Sequence, residues 1–131
     1  MRRLSFSIAA SVTAAAVLLA AGPVAAHHSF AMFNRDRIVP VSGTVKAFQW
    51  ANPHIWVQLL VPGKNGGPPV EWSIEGGSVN ALGRGGGWKR SSLKVGDKVV
   101  VYIHPLKDGQ TGGELVNASV NGKLIGPEEV N

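Results

Sequence analysis

Residues 70–88, VEWSIEGGSVNALGRGGGW, place a strand, a helix cap and a glycine-rich stop in succession. The first six residues alternate apolar and polar side chains, which predicts a strand with one buried face. Ser78 can cap a helix of about two turns that carries Val79 and Leu82, and the glycines at 83 and 85–87 end it. A single short helix at this position limits the folds that the chain can adopt.

The flanking segments read as strands. Two stretches precede the helix segment, at 38–50 and 54–61, and two follow it, around Val99–Ile103 and at 114–120. Strand, strand, strand, helix, strand, strand is the element order of an OB-fold, a five-stranded Greek-key barrel. We therefore predict an all-β, OB-like barrel with one short helix between strands 3 and 4. A generic β-sandwich is the alternative, and the position of the helix favours the barrel.

The start of the 131-residue chain has a different character. A short basic head precedes an uncharged stretch from Leu4 to Ala21, which a Gly-Pro pair ends. These are the features of a secretory signal peptide, and several serines dilute the apolar run that a membrane anchor would need. We predict a signal peptide over 1–26 and a single domain over 27–131, located in the periplasm or secreted.

The exact cut decides which residue begins the mature chain. Cleavage after Ala26 puts Val24 at position −3, where a small residue suits the signal peptidase. His27 then becomes the first residue. Cleavage after Ala25 remains open, although it puts Pro23 at −3.

Histidines near this cut are the strongest candidates for chemistry. A free N-terminal His27 offers its α-amine and its imidazole to one ion, and an imidazole of His28, His54 or His104 would complete a T-shaped set of nitrogen donors. That geometry suits Cu(II). After the alternative cut, the amine at Ala26, two backbone amides and His28 would form a square plane that suits Cu(II) or Ni(II). An exposed polar pair without a metal is the simpler interpretation. Barrel topology favours His104 as the partner, because the N-terminal lead enters at its end.

Residues 48–56, FQWANPHIW, suggest a second candidate surface. Phe48, Trp50, His54 and Trp56 would fall on matching positions across a tight turn, and neighbours across a hairpin touch. Trp50 and Trp56 are therefore predicted to form a ligand face, with a buried second hydrophobic face as the alternative. The outward carboxylates of the third strand, such as Glu75, are expected to be solvated.

Composition excludes several functions. The formal net charge of +5 is scattered and partly belongs to the signal peptide, so nucleic-acid binding is not predicted. The chain has no cysteine, which excludes disulfides, thiolate metal sites and haem attachment. No hydrolase motif is present, so we do not predict an enzyme. No apolar span follows the signal peptide.

Four segments, AHHSFAMF, SGTVKAFQWANPHIWV, EWSIEGGSVNALGRGGGW and LKVGDKVVVYIHPLKDG, together resemble a family of small exported bacterial proteins, domain of unknown function 6152. The resemblance spans the mature chain and implies no activity. It implies that His27, His28 and His54 belong to a shared pattern. Residue 104 is usually glycine in that pattern, which favours His54 over His104 as a metal partner.

These observations lead to a functional prediction with one alternative. The protein is predicted to be a small exported binding domain that holds copper at His27, His28 and His54. The alternative is an adaptor that contacts another envelope protein through the face of Trp50 and Trp56.

Overall fold

The elements follow one another in the predicted order. A computed structural model describes residues 30–128, so the predicted signal peptide, His27 and His28 lie outside the described residues. Two 3₁₀ turns occur at Phe30–Met32 and Lys64–Gly66. Within the described range, the helix α1 spans Val79–Gly85. The strands are β1 Val39–Gln49, β2 Trp56–Val61, β3 Val70–Glu75, β4 Lys98–Pro105, β5 Gly112–Val120 and β6 Lys123–Ile125.

The strands close into a barrel. Their order is β3-β2-β1-β4-β5-β6, with antiparallel neighbours, and β3 also pairs with β5 in parallel. This last pairing joins the ends of the sheet, so β1 to β5 form a closed five-stranded barrel and β6 extends it at one edge. Because α1 lies between β3 and β4 in the chain, the predicted OB-like fold is confirmed.

Alternation along the strands builds the core. Ile55, Val57 and Leu59 are fully buried, as the predicted inward face of the second strand requires. Leu82 from α1 packs on the same core, and Ser78 caps this helix by accepting a hydrogen bond from the amide of Ala81 at 3.2 Å. The core consists of Val41, Val45, Val57, Leu59, Ile74, Trp88, Leu93, Val99, Val101, Ile103, Leu115 and Ala118.

Two glycines make the closure possible. A Cβ atom added to Gly113 would lie 2.5 Å from the backbone oxygen of His104. One added to Gly112 would lie 2.7 Å from the backbone oxygen of Ser73. Because real Cβ atoms do not approach backbone oxygens so closely, β5 can enter between β3 and β4 only where these side chains are absent.

No helix within residues 30–128 is both long and apolar enough to span a membrane.

Candidate functional site

His54 and Glu75 meet where β2 begins and β3 ends. The Nδ1 atom of His54 lies 3.3 Å from Oε1 of Glu75 and 3.2 Å from the backbone oxygen of Gly76. Two backbone hydrogen bonds hold these ends together: Gly76 N to Ile55 O at 2.7 Å and Ile55 N to Gly77 O at 3.0 Å. The ring of His54 is therefore fixed by its neighbours on β3.

The segment before His54 is anchored from the other side. Oδ1 of Asn52 accepts a hydrogen bond from the amide of Val79, at the start of α1, at 3.1 Å. The Asn52–Pro53 peptide bond is cis. The Asn-Pro-His sequence thus connects the helix to the His54–Glu75 contact.

Glu75 belongs to a row of paired residues across the outside of the barrel. Trp56 pairs with Glu75, and Glu75 pairs with Glu114 on the parallel strand β5. Glu114 in turn pairs with His104. Glu75 is only 6% exposed, so the expectation that it is solvated is wrong. It alternates along β3 with the core residue Ile74, and β2 and β5 flank it on either side.

Arg35 compensates the negative charge of Glu114, the second carboxylate of the row. Its guanidinium donates two hydrogen bonds to Glu114, at 2.9 and 2.6 Å, in the bidentate geometry that arginine forms with carboxylates. This hydrogen bonding to Glu114 raises the pKa of Arg35. The same guanidinium carbon lies 4.5 Å from the centre of the Phe30 ring. Arg35 thus ties the N-terminal lead to the barrel surface.

The lead itself pairs with the end of β4. Phe33 forms an antiparallel bridge with Leu106 and is 5% exposed. The amide of Asn34 donates to Pro105 O at 2.8 Å, and the amide of Lys107 donates to Met32 O at 3.0 Å. These contacts fix the path by which the chain enters the domain.

A cavity of about 240 Å³ lies between the lead and the barrel. Glu75 lines it together with side chains from the lead, β2 and the loop before β5. Its lining consists of Met32, Phe33, Trp56, Ser73, Glu75, Leu106, Gln110, Thr111, Gly112 and Gly113. The cavity therefore combines apolar walls with one largely buried carboxylate.

The structure separates the two tryptophans of the predicted ligand face. Trp56 pairs with Gln49, while Phe48 pairs with Val57, so Phe48 lies on the core side of the sheet. Trp50 packs beside Phe48, with ring centres 5.9 Å apart, and against the core. The predicted alignment therefore differs from the structure by one residue of register, which moves Trp56 to the opposite face.

His104 on β4, the alternative metal partner, contacts the N-terminal lead through its ring. Its Nδ1 lies 2.8 Å from the backbone oxygen of Arg37. Within residues 30–128, no group of three or more histidines and carboxylates is arranged to hold a metal ion. His54 and Glu75 provide a pair of such groups.

Sequence analysis misjudged Glu75, which it expected to be solvated, and did not single out Glu114 or Arg35. An alternating strand assigns Glu75 only to the outward face, and no local pattern shows that another strand covers it. Arg35 and Glu114 are far apart in the chain. The Gly-Gly pair at 112–113 was the available signal, because adjacent glycines permit close backbone approach.

The comparisons with known proteins identify the family. The profile of the family of unknown function DUF6152 matches residues 14–116, and the chain belongs to this family. No curated protein matches significantly. The mitochondrial single-stranded DNA-binding protein Rim1 from S. cerevisiae is a similar solved structure, with a TM-score of 0.48 and 10% sequence identity. The match covers 65% of this chain and 93% of the Rim1 chain.

Proposed function

We propose that this family member is an exported copper-binding domain whose site combines the N-terminal histidines with His54. The α-amine and imidazole of His27 and the imidazole of His54 would supply a T-shaped set of nitrogen donors, a geometry that suits Cu(II). His28 lies one residue further along and is the alternative donor from the lead. Export and removal of residues 1–26 are part of the proposal, because only cleavage creates the amine.

The observation that carries the proposal is the fixed ring of His54. Its Nδ1 contacts both the Glu75 carboxylate and the Gly76 carbonyl. Histidines that bind metal commonly donate one ring N–H to such an oxygen, which fixes the tautomer and increases the basicity of the other nitrogen. With the proton on Nδ1, the lone pair of His54 lies on Nε2.

The path of the lead supports the same arrangement. His27 precedes Phe30 by three residues, so its Cα lies within about 10 Å of the Phe30 Cα. Residues 32 and 33 line the cavity that Glu75 also lines. The described part of the lead therefore lies on the side of the barrel where Glu75 contacts His54, which supports the proposal that His27 reaches this side.

Charge supports a cation at this position. Glu75 is enclosed, and a buried carboxylate is costly unless a positive group compensates it. Arg35 is engaged by Glu114, and the contact of Glu75 within residues 30–128 is His54. A bound metal ion next to His54 would provide compensating charge.

A Cu(II) titration with a defined terminus tests the proposal. Protein beginning at His27 should bind about one equivalent, with an electron paramagnetic resonance spectrum typical of nitrogen ligands. Adding one alanine before His27 should weaken binding at least about tenfold, because the amine is displaced. Glu75→Gln should weaken it about 10- to 100-fold by releasing the His54 ring.

Histidine variants provide the matched controls. His54→Ala should weaken binding, whereas His104→Ala should not, because His104 is engaged by Arg37 and is not a proposed ligand. If the extended protein binds Cu(II) as tightly as the protein that begins at His27, the proposed arrangement is wrong. The mass of the exported protein decides between the cuts after Ala26 and Ala25.

A further inference from the structure

The cavity next to Glu75 has apolar and aromatic walls that the copper proposal does not use. Its walls carry the side chains of Phe33, Trp56 and Leu106, with Glu75 as the charged group. We propose that this cavity binds a small methylated ammonium group, such as the head group of choline. This site is built from residues 32–113 and does not require the free amine of His27.

The charge of Glu75 favours a cationic ligand in the cavity. The Oε1 atom of Glu75 contacts His54, and no hydrogen bond from residues 30–128 reaches its second oxygen, Oε2. The carboxylate is largely withdrawn from solvent, where electrostatic attraction to a cation is stronger than in water. A permanent positive charge in the cavity would therefore be stabilised by Glu75.

The aromatic wall of the cavity also favours a cation. Trp56 lies beside Glu75 in the strand register, and both line the cavity. Tryptophan is the aromatic side chain that attracts cations most strongly through its ring face, and quaternary ammonium groups are recognised in this way. Carboxylate and indole on neighbouring strands would thus act on the same ligand charge.

The apolar walls of the cavity favour a methylated ammonium over a primary one. A primary ammonium needs three acceptors for its N–H groups. The hydroxyl of Ser73 accepts from Gln58 Nε2 at 2.9 Å, and the hydroxyl of Thr111 donates to Glu71 O at 2.9 Å. Both hydroxyls keep a lone pair that can accept, so the selection rests on the apolar walls of Phe33, Trp56 and Leu106, which suit methyl groups better than N–H groups.

Size sets the limit of the ligand. The volume of about 240 Å³ is below the roughly 300–1,000 Å³ of pockets that enclose drug-sized molecules. Gly112 and Gly113 form part of the lining, and barrel closure excludes side chains at both positions. The cavity is therefore expected to enclose a head group and to leave any longer chain outside.

Isothermal titration calorimetry with choline and its uncharged isostere, 3,3-dimethylbutan-1-ol, tests this inference. The protein carries one extra alanine before His27 and is kept in chelator, which removes the proposed copper site from the measurement. Choline should bind at least about tenfold more tightly than the isostere, because the two differ in charge and hardly in shape. Equal binding of the two compounds, or no detectable binding of choline, would overturn the proposal.

Variants locate the site. Trp56→Leu should weaken choline binding roughly 2- to 30-fold, and Trp56→Phe should restore part of it. Glu75→Gln keeps the shape and removes the charge, and should weaken binding at least about tenfold. Glu71→Gln is the matched control on the same strand, because Glu71 is exposed and pairs with Lys46. Near-ultraviolet circular dichroism of each variant verifies that the barrel is folded. If folded Glu75→Gln protein binds choline as the parent does, the cavity is not the site.

Discussion

Gly113→Ala tests how the barrel closes. Gly113 pairs with Ile74 on β3 and with Pro105 on β4, so both neighbours of β5 lie close to it. The new methyl carbon would lie 2.5 Å from the backbone oxygen of His104 and 2.7 Å from the Cδ1 atom of Ile103. The side chain of Ile103 can rotate, but the oxygen of His104 can move only if the β4 backbone moves with it.

The expected cost follows from these two contacts. Overpacking a core position by one methyl group costs about 1–3 kcal/mol, and a clash with fixed backbone belongs at the upper end. Gly113→Ala should therefore lower the free energy of unfolding by about 3 kcal/mol, a large part of the roughly 5–15 kcal/mol of a typical domain. At about 4–8 °C per kcal/mol, the melting temperature should fall by roughly 12–24 °C.

Urea unfolding followed by tryptophan fluorescence measures this change, and Gly85→Ala is the control. Gly85 lies at the end of α1, and an added Cβ there would meet nothing within 4 Å. This substitution should be stabilising by about 0.4–1 kcal/mol, because alanine restricts the unfolded chain. If Gly113→Ala costs less than about 1 kcal/mol, the close approach of β5 to β4 does not determine closure.

Three further substitutions test the core, the helix cap and the lead. Leu59→Ala should cost about 2–5 kcal/mol in urea unfolding, because the side chain is fully buried and leaves a cavity. Ser78→Ala should cost about 1 kcal/mol in the same assay by removing the helix cap, and Ser78→Asp should retain the stability. Arg35→Ala should leave the melting temperature nearly unchanged, since exposed ion pairs contribute little. It should instead accelerate hydrogen exchange at the amides of Asn34 and Lys107, whose bonds hold the lead, and unchanged exchange would contradict the assigned role of Arg35.

The fold could be predicted because its signals are local. Alternation marked each strand, and the cap at Ser78 with the following glycines marked the one short helix. Element order then identified the barrel, since few folds place a single helix between the third and fourth strands. The last long strand begins at Gly112, two residues before the predicted start, because the Gly-Gly pair resembles a loop in composition and serves here as a close contact.

The site could be predicted only in part because it depends on register and long-range pairing. The sequence singled out His54 as a candidate, but its contact with Glu75 becomes visible only once β2 and β3 are joined. The tryptophan face was predicted by placing Trp50 and Trp56 on matching positions across a tight turn. The structure pairs Gln49 with Trp56, and a shift of one residue exchanges the inner and outer faces of a strand.

The position of the Glu75 carboxylate and the closure of the barrel have the same physical cause. Parallel pairing of β3 with β5 places Glu75 beside Glu114, and like charges in neighbouring strand positions repel. The bidentate hydrogen bonds of Arg35 compensate Glu114, which requires the lead to lie across this end of the barrel. Within residues 30–128, His54 is then the titratable partner of Glu75, and Glu75 also borders the cavity. The pairing that closes the barrel thus leaves Glu75 beside the cavity, which is where both proposals would place a positive charge.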